Sequence, residues 1–226
     1  MWARGGPFLI AALCALCLCS ALPACAQLAA SVSVDSDYRF RGVTLSDNKP
    51  VARLNLSYDN PSGIYAGLSG FTADKSGYYG TVAYAGYVWR PQSGPALEAG
   101  ASYTQVREHF AYNYSEIYAG IITRALTARL YYSPDYFGAS TRTLYADLNS
   151  GRQLSPHWRA FVHGGVLSPL SGTFRRSRYD VRAGVAVSVS HYELQLAWSH
   201  TNPNRAYAWH PADDGDAVIA TATSYF

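Results

Sequence analysis

The chain has 226 residues, a formal net charge of +3, and is 49% hydrophobic and 14% aromatic. A charge this weak gives no footing for a nucleic-acid partner, and about 200 residues after position 26 suffice for one domain. The cysteines are Cys14, Cys17, Cys19 and Cys25, so the rest of the chain is free of thiol; that excludes disulfide frameworks, Cys-type zinc sites and thiol catalysis there.

Residues 1–26 read as a secretory signal peptide. Arg4 supplies the positive start, Phe8 to Ser20 the apolar stretch, and Ala24-Cys25-Ala26 an A-x-A cleavage site, so the mature chain begins at Gln27. Leu22-Pro23-Ala24-Cys25 also admits a lipobox reading, with Cys25 as a lipidated N-terminus. No later stretch offers the roughly 18 consecutive apolar residues of a membrane helix.

Beyond residue 26 no helical period persists. A period of two recurs instead, in segments separated by turn residues. It predicts twelve strands, over 31–41, 51–59, 63–72, 78–89, 96–106, 113–123, 126–133, 142–151, 157–167, 178–189, 191–200 and 216–226. Val32, Val34, Tyr38 and Phe40 oppose Asp35, Asp37, Arg39 and Arg41 in the first. Leu54, Leu56 and Tyr58 oppose Arg53, Asn55 and Ser57 in the second. Tyr179, Val181, Ala183, Val185 and Val187 oppose Asp180, Arg182, Gly184 and Ser188 in the tenth. A charge on a lipid-facing phase costs roughly 2–4 kcal/mol for Arg or Lys at mid-depth, so that phase is expected to stay clean, as it does. Mean hydropathy is only −0.08 because the two phases cancel.

The connections alternate between tight turns, such as Asn60-Pro61-Ser62, and longer loops, such as 42–50, 134–141 and 201–215. The last strand ends on Phe226, the kind of terminus that barrel assembly machinery reads. Together these features predict an all-β, antiparallel, up-and-down transmembrane barrel of about 12 strands over residues 27–226, in the outer membrane. A secreted β-sandwich explains the alternation and the signal peptide, but not the alternating loop lengths or the terminal Phe. Tyr58, Tyr78, Tyr103, Tyr132, Trp158, Tyr179, Tyr192 and Trp198 fall near strand ends on the apolar phase, as interface anchors do.

The segment Ser36-Asp37-Tyr38-Arg39-Phe40-Arg41-Gly42-Val43-Thr44-Leu45-Ser46-Asp47-Asn48-Lys49-Pro50 resembles the opening motif of the TorF-type porins, a bacterial outer-membrane family also labelled conserved hypothetical proteins. The likeness continues through Tyr58 and Gly63-Ile64-Tyr65-Ala66-Gly67; Leu45 and Lys49 depart from the pattern, and after residue 70 the likeness is architectural. The resemblance implies passive diffusion and brings no catalytic residues.

The polar phase carries Asp35, Asp37, Arg39, Arg41, Arg53, Glu98, Glu116, Arg129, Asp147, Arg159, His163, Arg182 and Glu193, which are the candidate pore-lining residues. Charges of both signs inside a cylinder are expected to pair. Twelve strands lie between the eight whose interior side chains fill and the sixteen that leave an aqueous channel. Two readings therefore stand: a narrow water-filled pore for small solutes, or a plugged structural or adhesion barrel. Arg39 and Arg41 are expected to pair with acids on neighbouring strands around the mouth, or simply to lock the register of the first and last strands. Tyr87, Tyr131, Tyr145 and Phe161 are candidate inward aromatics.

Arg175, Arg176 and Arg178 fall in or beside a predicted outer loop, where guanidinium groups suit lipopolysaccharide phosphates. Asp213-Asp214-Gly215-Asp216 reads as a Ca²⁺ loop or a solvated acidic loop, and lacks the closing Glu of an EF-hand. The six histidines form no H-x-x-x-H motif, so no metal or cofactor is expected. No G-x-S-x-G occurs, and His200 has no evident serine partner, so lipid hydrolysis is the weakest alternative and the protein is read as a non-enzyme. The expected partners are outer-membrane lipid and lipopolysaccharide, the barrel assembly machinery and small solutes; the oligomeric state is left open.

Overall fold

The computed structural model describes residues 27–73, 78–107, 111–172, 176–202 and 215–226. The wall is built from β1 (Gln27–Asp35), β4 (Val51–Asp59), β5 (Ile64–Ala73), β6 (Tyr78–Trp89), β7 (Ala96–Arg107), β8 (Ala111–Ile122), β9 (Leu126–Ser133), β10 (Arg142–Gln153), β11 (Trp158–Ser171), β12 (Arg178–Val189), β13 (Tyr192–Thr201) and β14 (Gly215–Tyr225). Every neighbouring pair is antiparallel, and β1 joins both β4 and β14, so the twelve strands close a barrel. Closure pairs the backbone polar groups of both outer strands, as a sheet in lipid requires. The pairing runs to the last residue: the Phe226 N–H donates to the Ala30 carbonyl at 2.8 Å, and the Ala30 N–H donates back at 3.3 Å.

The alternation sorts side chains as the period of two dictates. Leu54, Leu56, Leu68, Leu130, Leu148, Leu194 and Leu196 are exposed on the outside. Tyr58, Tyr103, Trp158, Tyr179, Tyr192 and Trp198 are outward aromatics. Tyr79 is exposed in β6, and Tyr87 also faces out, at 50% exposure, while the side chain of Tyr78 lies outside what is described. The expectation that Tyr87 points inward is corrected, because Tyr84 sets the inward parity of that strand and Tyr87 lies an odd number of residues away.

Strands 51–59, 78–89, 126–133 and 178–189 have the predicted bounds. The first strand does not. It stops at Asp35, and residues 36–50 leave the wall and fold inward. There β2 (Arg39–Phe40) and β3 (Val43–Thr44) pair as a separate two-stranded sheet. Their two-residue connection, Arg41-Gly42, has φ of +50° and +79°, the left-handed pair that a tight hairpin turn demands. Alternation continued through Asp37, Arg39 and Arg41 because the hairpin strand is itself extended; the period alone does not say which sheet a strand joins.

Candidate functional site: the lumen and its inward hairpin

One carboxylate organises the hairpin. Asp37 Oδ1 accepts from Thr44 Oγ1 at 2.5 Å and Ser46 Oγ at 2.9 Å, while Oδ2 accepts from Arg39 Nε at 2.6 Å. The Tyr38 N–H donates to Ser46 Oγ, and the Leu45 N–H donates to the Tyr38 carbonyl. These bonds satisfy a buried acid and fold the segment on itself before any wall contact is counted.

The tip reaches across the lumen. Arg41 donates from Nη1 and Nη2 to the two carboxylate oxygens of Glu116 on β8, at 2.8 and 2.7 Å. Its guanidinium lies 4.1 Å from the Tyr145 ring centre, 4.9 Å from Phe40 and 5.2 Å from Tyr131. Burial disfavours the charged guanidinium, but the charge of Glu116 and its hydrogen bond to the guanidinium work against that and favour the cation. Gly42 meets the opposite wall: a Cβ there would lie 1.7 Å from Thr201 Oγ1 and 2.7 Å from Asp180 Cβ. Only glycine permits that approach. Arg41 and Arg39 were expected to bond acids on neighbouring strands. Instead Arg41 spans to β8, and Arg39 pairs within its own hairpin, with Asp37.

Two apolar clusters seal this end. Leu45 and Tyr38 pack with Val51, Phe71 and Val106; Phe40 packs with Tyr114, Tyr136, Tyr145 and Leu167. Phe137, from the 3-10 turn Tyr136–Gly138 between β9 and β10, joins both clusters. Burial pushes the Tyr136 hydroxyl pKa up to about 12, so it stays neutral. A sequence signal for this seal existed: Val51, Phe71, Val106, Tyr114 and Leu167 all sit on the inward phase near the same end of the barrel.

Beyond the hairpin lies a cavity of about 810 Å³, lined from Arg41 and Gly42 to Asp59, Arg90 and Ile122 near the tight-turn end. Its charges are largely paired. Arg53 Nε meets Asp35 at 2.7 Å, Arg129 Nε meets Glu98 at 2.5 Å, and Arg159 Nη2 meets Glu193 at 3.1 Å. The Arg129–Glu98 pair spans over Gly120 of the intervening strand, where a Cβ would fall 2.7 Å from Glu98 Oε1. His163 Nε2 lies 3.4 Å from Asp180 Oδ1, and Asp180 also accepts from the Tyr145 hydroxyl at 3.0 Å. The rings of Tyr65, Tyr84 and Tyr118 lie flat over Gly86, Gly67 and Gly100 of adjacent strands, close enough that a Cβ would overlap each ring. Rings held against the wall keep the cavity open, where rings projecting inward would fill it.

Of the thirteen polar-phase residues, Arg39, Arg41, Glu98, Glu116, Arg129, Asp147, His163 and Arg182 line this cavity, Arg39 and Arg41 being carried there by the hairpin. Arg178 is a correction: it is 2% exposed at the inward start of β12, so it cannot meet lipopolysaccharide. Arg176 is exposed, and Arg175 lies outside the described residues, as do the signal segment with Cys25, and Asp213 and Asp214. Asp216 accepts from Trp198 Nε1 at 2.8 Å and lies 3.2 Å from His200 Nδ1.

The family described as bacterial protein of unknown function, Gcw_chp, matches residues 21–223. The chain belongs to the Gcw_chp family. No curated protein matches it in sequence. Among solved structures, the KdgM porin is similar at 13% identity with a TM-score of 0.58, over 88% of this chain and 99% of that one. The KdgM porin in complex with disordered oligogalacturonate is similar at 11% identity and a TM-score of 0.55, over 88% and 98%. At such identities the likeness is one of fold: this member of the Gcw_chp family is a closed, twelve-stranded all-β barrel similar in fold to the KdgM porin.

Proposed function

We propose that the protein is a narrow outer-membrane porin of the TorF type, passing small solutes passively through a charge-paired lumen that the 36–50 hairpin constricts. The observation that carries this reading is the cavity of about 810 Å³. Its wall sets charged and hydroxyl side chains beside apolar ones, and its tyrosines are folded back, so the interior is not packed solid as in small barrels. The solutes are expected to be smaller and less charged than an oligogalacturonate chain, because most lumen arginines are already neutralised by an acid. Signal cleavage before Gln27, reading of Phe226 by the assembly machinery, and contact of Arg176 with lipopolysaccharide belong to the same proposal.

A second reading is favoured by the apolar seal around Leu45, Phe40 and Phe137: a closed barrel with a structural or adhesive role. Single-channel recording of refolded residues 27–226 in a planar bilayer separates the two. Discrete, reproducible current steps support the porin. A folded barrel, shown by heat-modifiable gel migration, that gives no steps refutes it and favours the closed barrel.

A further inference from the structure

Two groups of opposite charge that face the same cavity each hold a buried polar atom without a hydrogen-bond partner among the described residues. Arg182 on β12 and Asp147 on β10 both line it. Among the described residues, no carboxylate lies within ion-pair distance of Arg182, whose guanidinium lies 5.9 Å from the centre of the Phe161 ring. Its buried Nε has no hydrogen-bond partner. Asp147 has no cation within that distance either, and its Oδ1 is buried without a partner. The obvious cation for Asp147 is Arg129, its direct cross-strand neighbour, but Arg129 turns away to Glu98.

A buried polar atom of a charged group is costly to leave without a partner unless something else pairs it. They do not pair with each other. β11 runs between their strands, and two strand spacings put their backbones roughly 10 Å apart. Arg129–Glu98 and Arg159–Glu193 bridge the same two spacings, so the separation itself does not forbid a bond; these two groups nevertheless do not meet, and an inserted group that carries both charges can join them. Across the barrel from β12 lies β6, whose Tyr84 stands with Tyr65 and Tyr118 as a wall of rings on the far side of the cavity.

We propose that Arg182 and Asp147 form a binding site for a zwitterionic solute, a free amino acid whose carboxylate meets Arg182 and whose ammonium meets Asp147. The tyrosine wall takes the side chain and favours aromatic or apolar bodies. This inference rests on the lumen being reachable by solute, as the porin reading holds, but its test does not depend on current.

The test is calorimetric titration of the detergent-folded mature barrel at low salt with three probes: phenylalanine, 3-phenylpropanoate, which lacks the ammonium, and phenethylamine, which lacks the carboxylate. Phenylalanine is expected to bind roughly tenfold or more tightly than either, since each loses one charge-assisted contact. Arg182→Gln should reduce phenylalanine affinity to that of phenethylamine, and Asp147→Asn to that of 3-phenylpropanoate. Arg182→Lys keeps the charge and should retain part of the preference, which guards against a variant that merely misfolds. Equal affinity for phenylalanine and 3-phenylpropanoate overturns the zwitterion site and leaves a simple anion site. No heat with any probe, or unchanged binding in both charge-removing variants, overturns it outright. Current steps without amino-acid binding would refute this inference alone; binding without steps would refute the porin and keep the site.

Discussion

Arg41→Ala tests whether the hairpin is held where it constricts the lumen. The Arg41 side chain is 7% exposed and that of Glu116 is 3% exposed, so the bidentate pair at 2.8 and 2.7 Å is sheltered from water. Removing one partner of a buried pair costs about 3–5 kcal/mol, chiefly because the other charge stays buried alone. The ring contacts at Tyr145, Phe40 and Tyr131 are lost with it, each contributing on the order of 0.5–2 kcal/mol, though not additively. This cost falls mainly on the docked hairpin, because beyond Ser36, whose N–H still donates to the Ala220 carbonyl, the barrel's ladder hydrogen bonds do not pass through residues 37–50. Arg41→Ala should therefore keep heat-modifiable migration while raising single-channel conductance, as the hairpin leaves the lumen and Glu116 regains water. Adding Glu116→Gln removes the stranded charge, so the double variant should be destabilised less than the sum of the two single ones in a double-mutant cycle. Unchanged conductance together with an unchanged denaturation midpoint in Arg41→Ala would refute the latch.

Gly42→Ala should undock the same hairpin by another route, since its Cβ would fall 1.7 Å from Thr201 Oγ1 at a φ of +79°; conductance should rise with the barrel still folded. Arg129→Ala strands Glu98, whose side chain is 1% exposed, and should lower stability by about 3–5 kcal/mol in urea titration. Arg159→Ala breaks a pair in which the arginine is 36% exposed, and by the same titration should cost only about 1 kcal/mol; equal effects of these two would contradict the burial argument. Leu56→Arg puts a charge on the lipid face in the middle of β4 and should cost roughly 2–4 kcal/mol of folding free energy in bilayers, with little effect in detergent of shorter chain.

Much of the wall was legible in the order of residues. Alternation is a local property: each side chain faces lipid or lumen according to parity, and an apolar run of Leu54, Leu56 and Tyr58 against Arg53, Asn55 and Ser57 states both the strand and its inner face. Turn residues such as Asn60-Pro61-Ser62 then bound the strands closely. The same parity carried the charged residues to the lumen side without saying which of them would meet. Parity failed at residues 36–50, where an extended hairpin inside the barrel has the same period as a strand in its wall. Its departure depends on the Arg41-Gly42 turn, on Asp37 collecting Thr44, Ser46 and Arg39, and on partners at Glu116, Thr201 and Asp180 that are far away in the chain. Closure alone brings those partners within reach. Which charges are left over, Arg182 and Asp147 among them, was likewise decided by the tertiary structure, because a guanidinium beside two carboxylates can neutralise only one, and the register and curvature of the closed sheet choose which.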